Sequence, residues 1–505
     1  MEISKEQIAK MAESYKKAET QHVAQRAVTK NGILESAESV EVLKRMSPKN
    51  FAFSIDVDDQ AVANQKMSGR CWMFACLNVL RFHIEKELDL PKGTFELSQA
   101  YLAFFNKLER AAWFLEHVVA TADKPLDDRE VDWLFTTPMA DGGDWDMVCA
   151  LVKKYGVVPH EAQAETHCTN NTAELNTVLS HLLRQDALKL RTMAQEDKDT
   201  KATQEEMLSE VYRVLAVCFG EPVQKFDFTY NDAKGHYHAD LGITPLEFLK
   251  KYVPIDLDDY IGVINVPGDD KPYGRMYAIQ DSDQIPERRN LYLNVPMELK
   301  GYVIDSLKDG EPVWFGSDVL QHCDRNAGVM DFDLYDLEAM FGVKFTMDKA
   351  ERFATHESLP THAMTIAGVD IKDGKPTKWK IENSWGTENH GMKTGTNGYR
   401  LQRRVVRQLR LRGGHPQGSP EPRDAEGAGL RPHRVAVLEH LQSGFRLSGN
   451  RAPASGVPHG MPQGRPLRAA FASRARQLSA VRRGAFSGND VPGRGARPAG
   501  PFREG

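Results

Sequence analysis

Residues 65–76 read QKMSGRCWMFAC and decide how the rest of the chain is interpreted. A short loop in this stretch delivers Cys71 to the start of a predicted helix that runs toward Leu88. The positive end of a helix dipole favours a thiolate over a thiol. Gln65, six residues upstream, carries a side-chain N–H that can stabilise an oxyanion beside the sulfur. The stretch therefore predicts a nucleophilic cysteine together with its oxyanion donor.

A base and an orienting amide are encoded far downstream. Residues 361–370 and 378–386 are predicted to be two strands joined by a short turn. His362 begins the first strand and Asn383 ends the second, so a hairpin brings the two side chains together at neighbouring strand ends. An imidazole near a thiolate acts as base and proton carrier, and an amide oxygen on its other nitrogen fixes the ring. A lone cysteine is usually a packed core residue, but Cys71 with these partners indicates nucleophilic catalysis.

Two further motifs each have a functional and a structural interpretation. Gly142 and Gly143 permit a close backbone approach to a ligand, and they suit a tight turn before the next predicted helix equally well. His236 and His238 lie two residues apart, as metal ligands on a strand can, but no third ligand is apparent. We favour an exposed hairpin at that position. The sequence predicts neither a metal nor a cofactor.

Cysteine usage and the N-terminal residues predict a cytoplasmic protein. The six cysteines have no regular spacing and form no CxxC pair, which is typical of a reducing compartment. The residues after Met1 are charged and contain no apolar core of a signal peptide. No stretch approaches the length of apolar sequence that spans a membrane, so no membrane partner is expected.

The charge is distributed unevenly along the chain. The formal net charge is −5, but residues 401–505 contain 19 Arg, no Lys and 6 acidic residues, which gives +13. Residues 1–400 therefore carry −18. The segment after residue 400 also lacks Ile, Thr, Tyr, Trp and Cys. This composition is what a GC-rich gene gives when it is read out of frame, and a genuine disordered basic tail is the alternative interpretation.

Taken together, the motifs resemble those of the bleomycin hydrolase and aminopeptidase C family of papain-superfamily cysteine peptidases. The resemblance runs from about residue 5 to Leu401. The stretches that carry it are Gln65, Ser68–Trp72, Phe95–Leu102, Gly142–Trp145, Val313–Gly316, His362–Met364 and Asn383–Gly386.

The resemblance implies a fold and a role for each motif. The fold is α+β and papain-like, with a helical lobe that carries the nucleophile helix and a β-rich lobe that carries His and Asn. Cys71 is implied to be the nucleophile, paired with His362 as imidazolium, while Asn383 orients the ring. Trp385 would shield that hydrogen bond beside the substrate cleft. Gln65 and the backbone N–H of Cys71 would form the oxyanion hole.

The remaining implications concern the cleft and the domain organisation. Gly142 and Gly143 would line the substrate cleft. Residues 1–401 form the peptidase domain, with long insertions at about residues 160–290, and residues 402–505 form an Arg-, Gly-, Pro- and Ala-rich tail that is frameshifted or disordered. The family also implies a homohexamer, and a C-terminal arm whose carboxylate meets the free amino group of the substrate.

The implied function is a cytosolic cysteine aminopeptidase that acts on short peptides through an acyl-thioester. The sequence departs from the family after Leu401, where the last strands of the β-rich lobe and the arm are expected. We expect this lobe to lack strands from beyond that point, which exposes sheet edges. Two alternatives follow: an endopeptidase-like activity because the arm is replaced, and non-specific nucleic-acid binding by the basic tail.

Overall fold

The structure is a computed structural model that describes residues 2–46, 52–57, 63–279, 284–285, 291–296, 299–319, 321–325, 327–386, 403–406, 434–438 and 445–447. All of these residues lie in one compact unit, Met1–Ser448. A group of helices carries the predicted nucleophile, and a large sheet carries the predicted base and its amide. The α+β arrangement of two lobes that the sequence predicts is confirmed.

Helices dominate the part of the chain that precedes the sheet. Their bounds are α1 (Lys5–Lys16), α2 (Glu19–Asn31), α3 (Ile33–Ala37), α4 (Val40–Arg45), α5 (Cys71–Glu87), α6 (Gln99–Ala120), α7 (Arg129–Thr136), α8 (Trp145–Tyr155), α9 (His167–Asn170), α10 (Ala173–Gln195), α11 (Lys201–Phe219), α12 (Pro245–Tyr252), α13 (Leu299–Lys308), α14 (Leu337–Phe341) and α15 (Lys349–Ala354). Ser98 accepts from the N–H of Tyr101 at the start of α6, and Thr244 forms a capping box before the proline that opens α12.

The strands that the structure describes form one mixed sheet and one separate hairpin. Their bounds are β1 (Ile55–Asp56), β2 (Phe226–Asn231), β3 (Tyr237–Ile243), β4 (Tyr260–Ile264), β5 (Met276–Ile279), β6 (Tyr292–Asn294), β7 (Val313–Ser317), β8 (Cys323–Asp324), β9 (Val329–Met330), β10 (His362–Lys372), β11 (Lys375–Glu382), β12 (Arg403–Val406), β13 (Arg434–Leu438) and β14 (Phe445–Leu447). The order in the sheet is β14-β5-β6-β4-β13-β7-β10-β11-β12-β9-β8, and β1 pairs with β10 off this path. Strands β2 and β3 form the hairpin.

The hairpin of β10 and β11 that the sequence predicts is present, and it lies near the middle of the sheet. Asp373 and Gly374 form its turn with φ values of +51° and +70°, the pair of positive angles that a two-residue hairpin turn of type I′ requires. Strand β10 also pairs with β7 in an antiparallel register that sets His362 opposite Ser317. The start of β10 is therefore held by β7, and β11 pairs with β10 from Thr365 onward.

Helix α5 runs through the interior, against the sheet. Nearly all of its side chains from Trp72 to Glu85 are buried, because apolar residues occur on all of its faces. It packs on α8 and α6 on one side and on β10 and β7 on the other. The hydroxyl of Thr365 on β10 donates to the carbonyl of Ala75 at 3.1 Å. The first residue of α5 therefore lies where the two lobes meet.

Two expectations about element boundaries are wrong. The capping pattern of Ser4 and Gln7 and the helical spacing of Ile8, Met11 and Tyr15 predict one helix over residues 1–30. The structure divides it into α1 and α2, with a break at Lys17 and Ala18 that no glycine or proline marks. The strands of the β-rich lobe do not stop at Leu401, because β12, β13 and β14 all come from the basic tail. β12 continues the sheet from β11, and β13 lies between β4 and β7. The rest of residues 402–505 lies outside the described part of the chain, and the prediction for it stays a prediction.

Helices α9, α10 and α11 form the first part of the expected insertion at about residues 160–290, and the β2–β3 hairpin, α12, β4 and β5 follow them. Helices α10 and α11 both pack against α6. The apolar side chains that they bury include Leu179, Leu183, Val211 and Leu215. Helices α10 and α11 are therefore part of the core of the helical lobe.

Candidate active site

Cys71 is the first residue of α5, at the end of the helix where backbone N–H groups have no partner within the helix. Its side chain is partly exposed, while Trp72, Met73 and the residues after them are buried. The Cys71 Sγ accepts a hydrogen bond from the backbone N–H of Ala363 at 3.4 Å. The nucleophile predicted from residues 65–76 therefore touches the residue next to the predicted base.

His362 and Asn383 meet at the end of the β10–β11 hairpin. The His362 Nε2 lies 2.7 Å from the Asn383 Oδ1, and the backbone N–H of Ser384 donates to the same oxygen at 2.7 Å. Because Oδ1 can only accept, Nε2 carries a hydrogen. The other ring nitrogen, Nδ1, is therefore the basic nitrogen of a neutral imidazole. Both side chains are buried, at 8% exposure each.

The thiol and the imidazole have opposite pKa shifts, and burial is the main cause of both. Burial raises the pKa of the Cys71 thiol, while backbone N–H groups, that of Ala363 first, act against the rise. Burial lowers the pKa of His362 to about 4, while the bond to Asn383 acts against the fall. Burial thus favours a neutral thiol beside a neutral ring. Moving the thiol proton to the ring would create two opposite charges, whose attraction opposes both shifts.

Gln65 is joined directly to the segment that carries Asn383. Its backbone N–H donates to the Ser384 carbonyl at 2.8 Å, and its Oε1 accepts from the Ser384 hydroxyl at 2.6 Å. Its Nε2 donates to the Ser68 carbonyl at 2.6 Å. A primary amide has two N–H bonds, so one remains to serve an oxyanion. These contacts fix the amide of Gln65 within the loop that leads to Cys71.

The predicted cleft glycines lie against the residue that follows the nucleophile. The indole Nε1 of Trp72 donates to the carbonyl of Asp141 at 2.7 Å. A Cβ on Gly143 would approach the Trp72 ring to 2.5 Å, so only glycine fits there. Gly142 is exposed, and a Cβ built on it meets nothing within 4 Å. The structure therefore packs Gly143 against Trp72, the residue after the nucleophile, and leaves Gly142 exposed.

Trp385 covers the ring of His362. The two rings stack with their centres 4.8 Å apart and their planes inclined by 24°. Asn64 and Trp385 form an isolated antiparallel bridge, and the N–H of Gly386 donates to the carbonyl of Ala63. The loop before Cys71 and the segment after β11 are thus paired like strands, which fixes the Trp385 backbone beside the imidazole.

Several polar residues that brace the site were not predicted. Asp141 accepts from the N–H of Gly69, and Lys107 donates to Asp141 from inside α6. Arg70, next to the nucleophile, forms a two-pronged ion pair with Glu165 at 2.9 and 2.7 Å. Lys107 stands in a buried row of otherwise apolar side chains, Phe104, Ala111, Phe114 and Val118. A lysine within such a row is a signal that sequence analysis could have used.

His236 and His238 lie on an exposed hairpin, as expected. Both contact the Asp232 Oδ2, at 2.9 and 3.3 Å, and their side chains are 69% and 43% exposed. In the part of the chain that the structure describes, no group of three or more His, Cys, Asp and Glu side chains is placed to hold a metal ion. Across the same residues, no helix combines the length and apolar character needed to cross a membrane.

Comparisons with known proteins identify the family of the chain. The sequence model of the Peptidase C1-like family matches residues 2–402. Aminopeptidase C of Lactobacillus delbrueckii subsp. lactis is 44% identical over 403 residues, which cover 79% of this chain and 88% of that protein. Aminopeptidase C of Streptococcus thermophilus is 45% identical over 379 residues, 74% of this chain and 83% of that protein.

A solved structure extends the likeness to the fold. The crystal structure of PepW from Lactobacillus rhamnosis HN001 superimposes with a TM-score of 0.76 at 42% identity, and the match covers 80% of this chain and 89% of that one. The residues that the family model matches include both the nucleophile loop and the β10–β11 hairpin. The chain therefore belongs to the Peptidase C1-like family of papain-superfamily cysteine peptidases and is a cysteine-type aminopeptidase.

Proposed function

We propose that this aminopeptidase cleaves peptides through Cys71, His362 and Asn383. The observation that carries the proposal is the chain of contacts from the Cys71 sulfur to Ala363, and from the neighbouring His362 ring to Asn383 at 2.7 Å. His362 takes the thiol proton, and the thiolate attacks the scissile carbonyl carbon. The ring then gives that proton to the leaving amine as the acyl-thioester forms. Water, deprotonated by the same ring, hydrolyses the thioester and restores the thiol.

Charge developing on the carbonyl oxygen is stabilised by Gln65 and by the N–H of Cys71. Two features support this part of the proposal. The Gln65 amide is held by bonds to Ser68 and Ser384, so its position costs no reorganisation during the reaction. The N-terminal end of α5 adds its partial positive charge at the same place.

The substrates that we propose are short peptides with a free N-terminus, hydrolysed in the cytosol. The names of the curated relatives support removal of N-terminal residues. All six cysteines lie in described parts of the chain and none of them is in a disulfide there, which is compatible with a reducing compartment. Side-chain preference at the scissile bond is expected to be weak.

The proposal is tested with the Cys71→Ala variant and matched substrates. We expect the variant to lose hydrolysis of aminoacyl-arylamides by at least about 10⁴-fold, because the thioester cannot form. Its urea unfolding curve should match that of the wild type, since the side chain is small. Undiminished turnover in a folded Cys71→Ala protein would remove Cys71 from the mechanism.

An endopeptidase-like activity is the second candidate. The family match ends at residue 402, where the sequence leaves the pattern that would supply the C-terminal arm. Comparing a free peptide with its N-acetylated form separates the two activities. An aminopeptidase cleaves only the free form, whereas comparable kcat/KM values for both would establish the endopeptidase.

Assembly and nucleic-acid binding are further proposals from the sequence. On α1, the apolar side chains of Ile8, Met11 and Tyr15 are 41–57% exposed in the single chain. An exposed apolar surface of this kind is expected where copies of the chain would pack together in a hexamer. Native mass spectrometry tests the hexameric state.

Because β12–β14 belong to the sheet, nucleic-acid binding is better tested by replacing the arginines of residues 449–505 with glutamine than by deleting the tail. If the variant retains DNA as the wild type does, with the same salt dependence, those arginines do not bind the nucleic acid.

A further inference from the structure

Lys107 is a buried cation close to the nucleophile loop. Its side chain is 2% exposed, in the row of α6 residues that pack into the core. Its Nζ donates to the Ala140 carbonyl at 2.8 Å, to the Asp141 Oδ1 at 2.5 Å and to the Asn176 Oδ1 at 2.7 Å. An ammonium has three N–H bonds, and each is used. This is a built site for one positive charge, and the reaction proposed above does not use it.

Asp141 connects Lys107 to the nucleophile loop. Its Oδ2 accepts from the Gly69 N–H at 3.0 Å and from the Thr172 hydroxyl at 2.5 Å, and its Oδ1 accepts from Asn176 at 2.9 Å. Its main-chain carbonyl accepts from the Trp72 indole. A Cβ on Gly69 would approach the Asp141 Cβ to 2.7 Å, so the loop and the carboxylate are in direct contact. Asp141 thus holds the chain on both sides of Cys71.

The charge of the Asp141 carboxylate makes the Cys71 thiol harder to ionise. The negative charge of Asp141 adds to burial in raising the pKa of Cys71, which disfavours the thiolate. Burial alone would raise the pKa of Asp141, but Lys107, Thr172 and Asn176 hold it well below its usual value, so the group stays charged. Burial lowers the pKa of Lys107 to about 8, against the opposing effect of Asp141.

Other charges face the same region. Arg110 and Arg70 both act to lower the pKa of Lys107. Arg70 is paired with Glu165, and Arg110 donates to the carbonyls of Thr137 and Pro138. On the other side of the thiol lies the His362 segment. Among the described residues, Lys107 is therefore the cation that forms an ion pair with the Asp141 carboxylate.

We infer that Lys107 is a positioning residue whose ammonium neutralises Asp141, so that this carboxylate can hold the Gly69–Trp72 loop without suppressing the thiolate of Cys71. The inference rests on the proposed role of Cys71. It predicts that the two charges act on the thiol with opposite sign. Removing the cation should make the thiol harder to ionise, and removing the anion should make it easier.

The test measures the thiol pKa of Cys71 from the pH dependence of its alkylation by iodoacetamide, with the adduct located by peptide mass mapping. Lys107→Met should raise that pKa by about one unit, which slows alkylation near neutral pH roughly tenfold. Asp141→Asn keeps an oxygen for the Gly69 N–H and should lower the pKa. The double variant should return it to near the wild-type value, because both charges are gone.

The pH dependence of alkylation distinguishes an effect of charge from an effect of packing. If Lys107 only supports packing, Lys107→Met and the double variant would slow alkylation equally at every pH, and the inference is overturned. If Lys107→Met does not fold, a pKa in Asp141→Asn that is equal to or above the wild-type value overturns it as well. Turnover is recorded in parallel. The thiol pKa from alkylation could shift as expected while kcat/KM does not change with it. That result would refute the role of Cys71 in catalysis but support the effect of the Lys107–Asp141 pair on the thiol.

Discussion

The guanidinium of Arg325 lies 4.6 Å from the centre of the Trp385 ring, on an aromatic side chain that itself stacks on His362. Arg325 is exposed, and its positive charge adds to burial in lowering the pKa of His362. Arg325→Gln should therefore raise the pKa of the ring. The imidazolium then keeps its proton to higher pH, so the alkaline limb of the kcat/KM profile moves up by roughly 0.3–0.5 pH unit.

Arg26→Gln on α2 is the matched control, because it removes an exposed arginine from a different element. Its pH profile should coincide with that of the wild type. An alkaline limb that stays in place in Arg325→Gln, or that moves to lower pH, contradicts the electrostatic role of Arg325.

We expect Trp385, which stacks on His362, to shield the bond between His362 and Asn383 from water. Trp385→Ala opens that bond to solvent and removes the stack, so kcat should fall roughly tenfold or more, about 1.4 kcal/mol in the barrier. Trp385→Phe keeps an aromatic cover and should retain most of the activity. The test is steady-state kinetics of both variants on one aminoacyl-arylamide. An equal loss of kcat in both variants would show that an aromatic ring over the His362–Asn383 bond is not what Trp385 contributes.

Gln65 is expected to act in the transition state more than in substrate binding. Gln65→Ala removes the oxyanion donor, so kcat should fall by roughly 10²–10³ with little change in KM. Ser384→Ala removes one of the bonds that hold the amide and leaves the amide in place, so its loss should be smaller. A Gln65→Ala variant that changes KM alone would assign the residue to binding.

The Arg70–Glu165 ion pair should matter for stability. Their side chains are 3% and 14% exposed, so Arg70→Met leaves a largely buried carboxylate without its partner. The expected cost is about 3–5 kcal/mol in the free energy of unfolding, measured from urea midpoints. Arg70→Met with Glu165→Leu should recover part of it. Lys16→Met breaks the exposed pair with Glu13 and should leave the midpoint unchanged; a similar shift in Lys16→Met would contradict the argument from burial.

Much of the fold could be predicted because local signals agree with the tertiary structure. Ser98, a residue type that commonly caps helices, directly precedes the first residue of α6 and accepts from the backbone N–H of Tyr101. The turn at Asp373 and Gly374 defines the hairpin that joins His362 to Asn383. These features depend on short-range chemistry, which a single sequence contains.

Other features depend on contacts between distant segments, which a pattern does not reveal. Nothing in the sequence near Arg434–Leu438 shows that this strand lies between β4 and β7. Lys107 and Asp141 are 34 residues apart, and only the packing of α6 against the nucleophile loop brings them together. The break between α1 and α2 has no sequence marker, and the structure gives no physical reason for it.

The central claim is that the thiol of Cys71 is the nucleophile. The most direct measurement is titration with a thiol-directed epoxide, with residual activity followed alongside the mass of each cysteine peptide. We predict that activity falls to zero in proportion to a single adduct per chain, located on Cys71. Full activity with Cys71 completely labelled, or inactivation by an adduct on another cysteine, would contradict it.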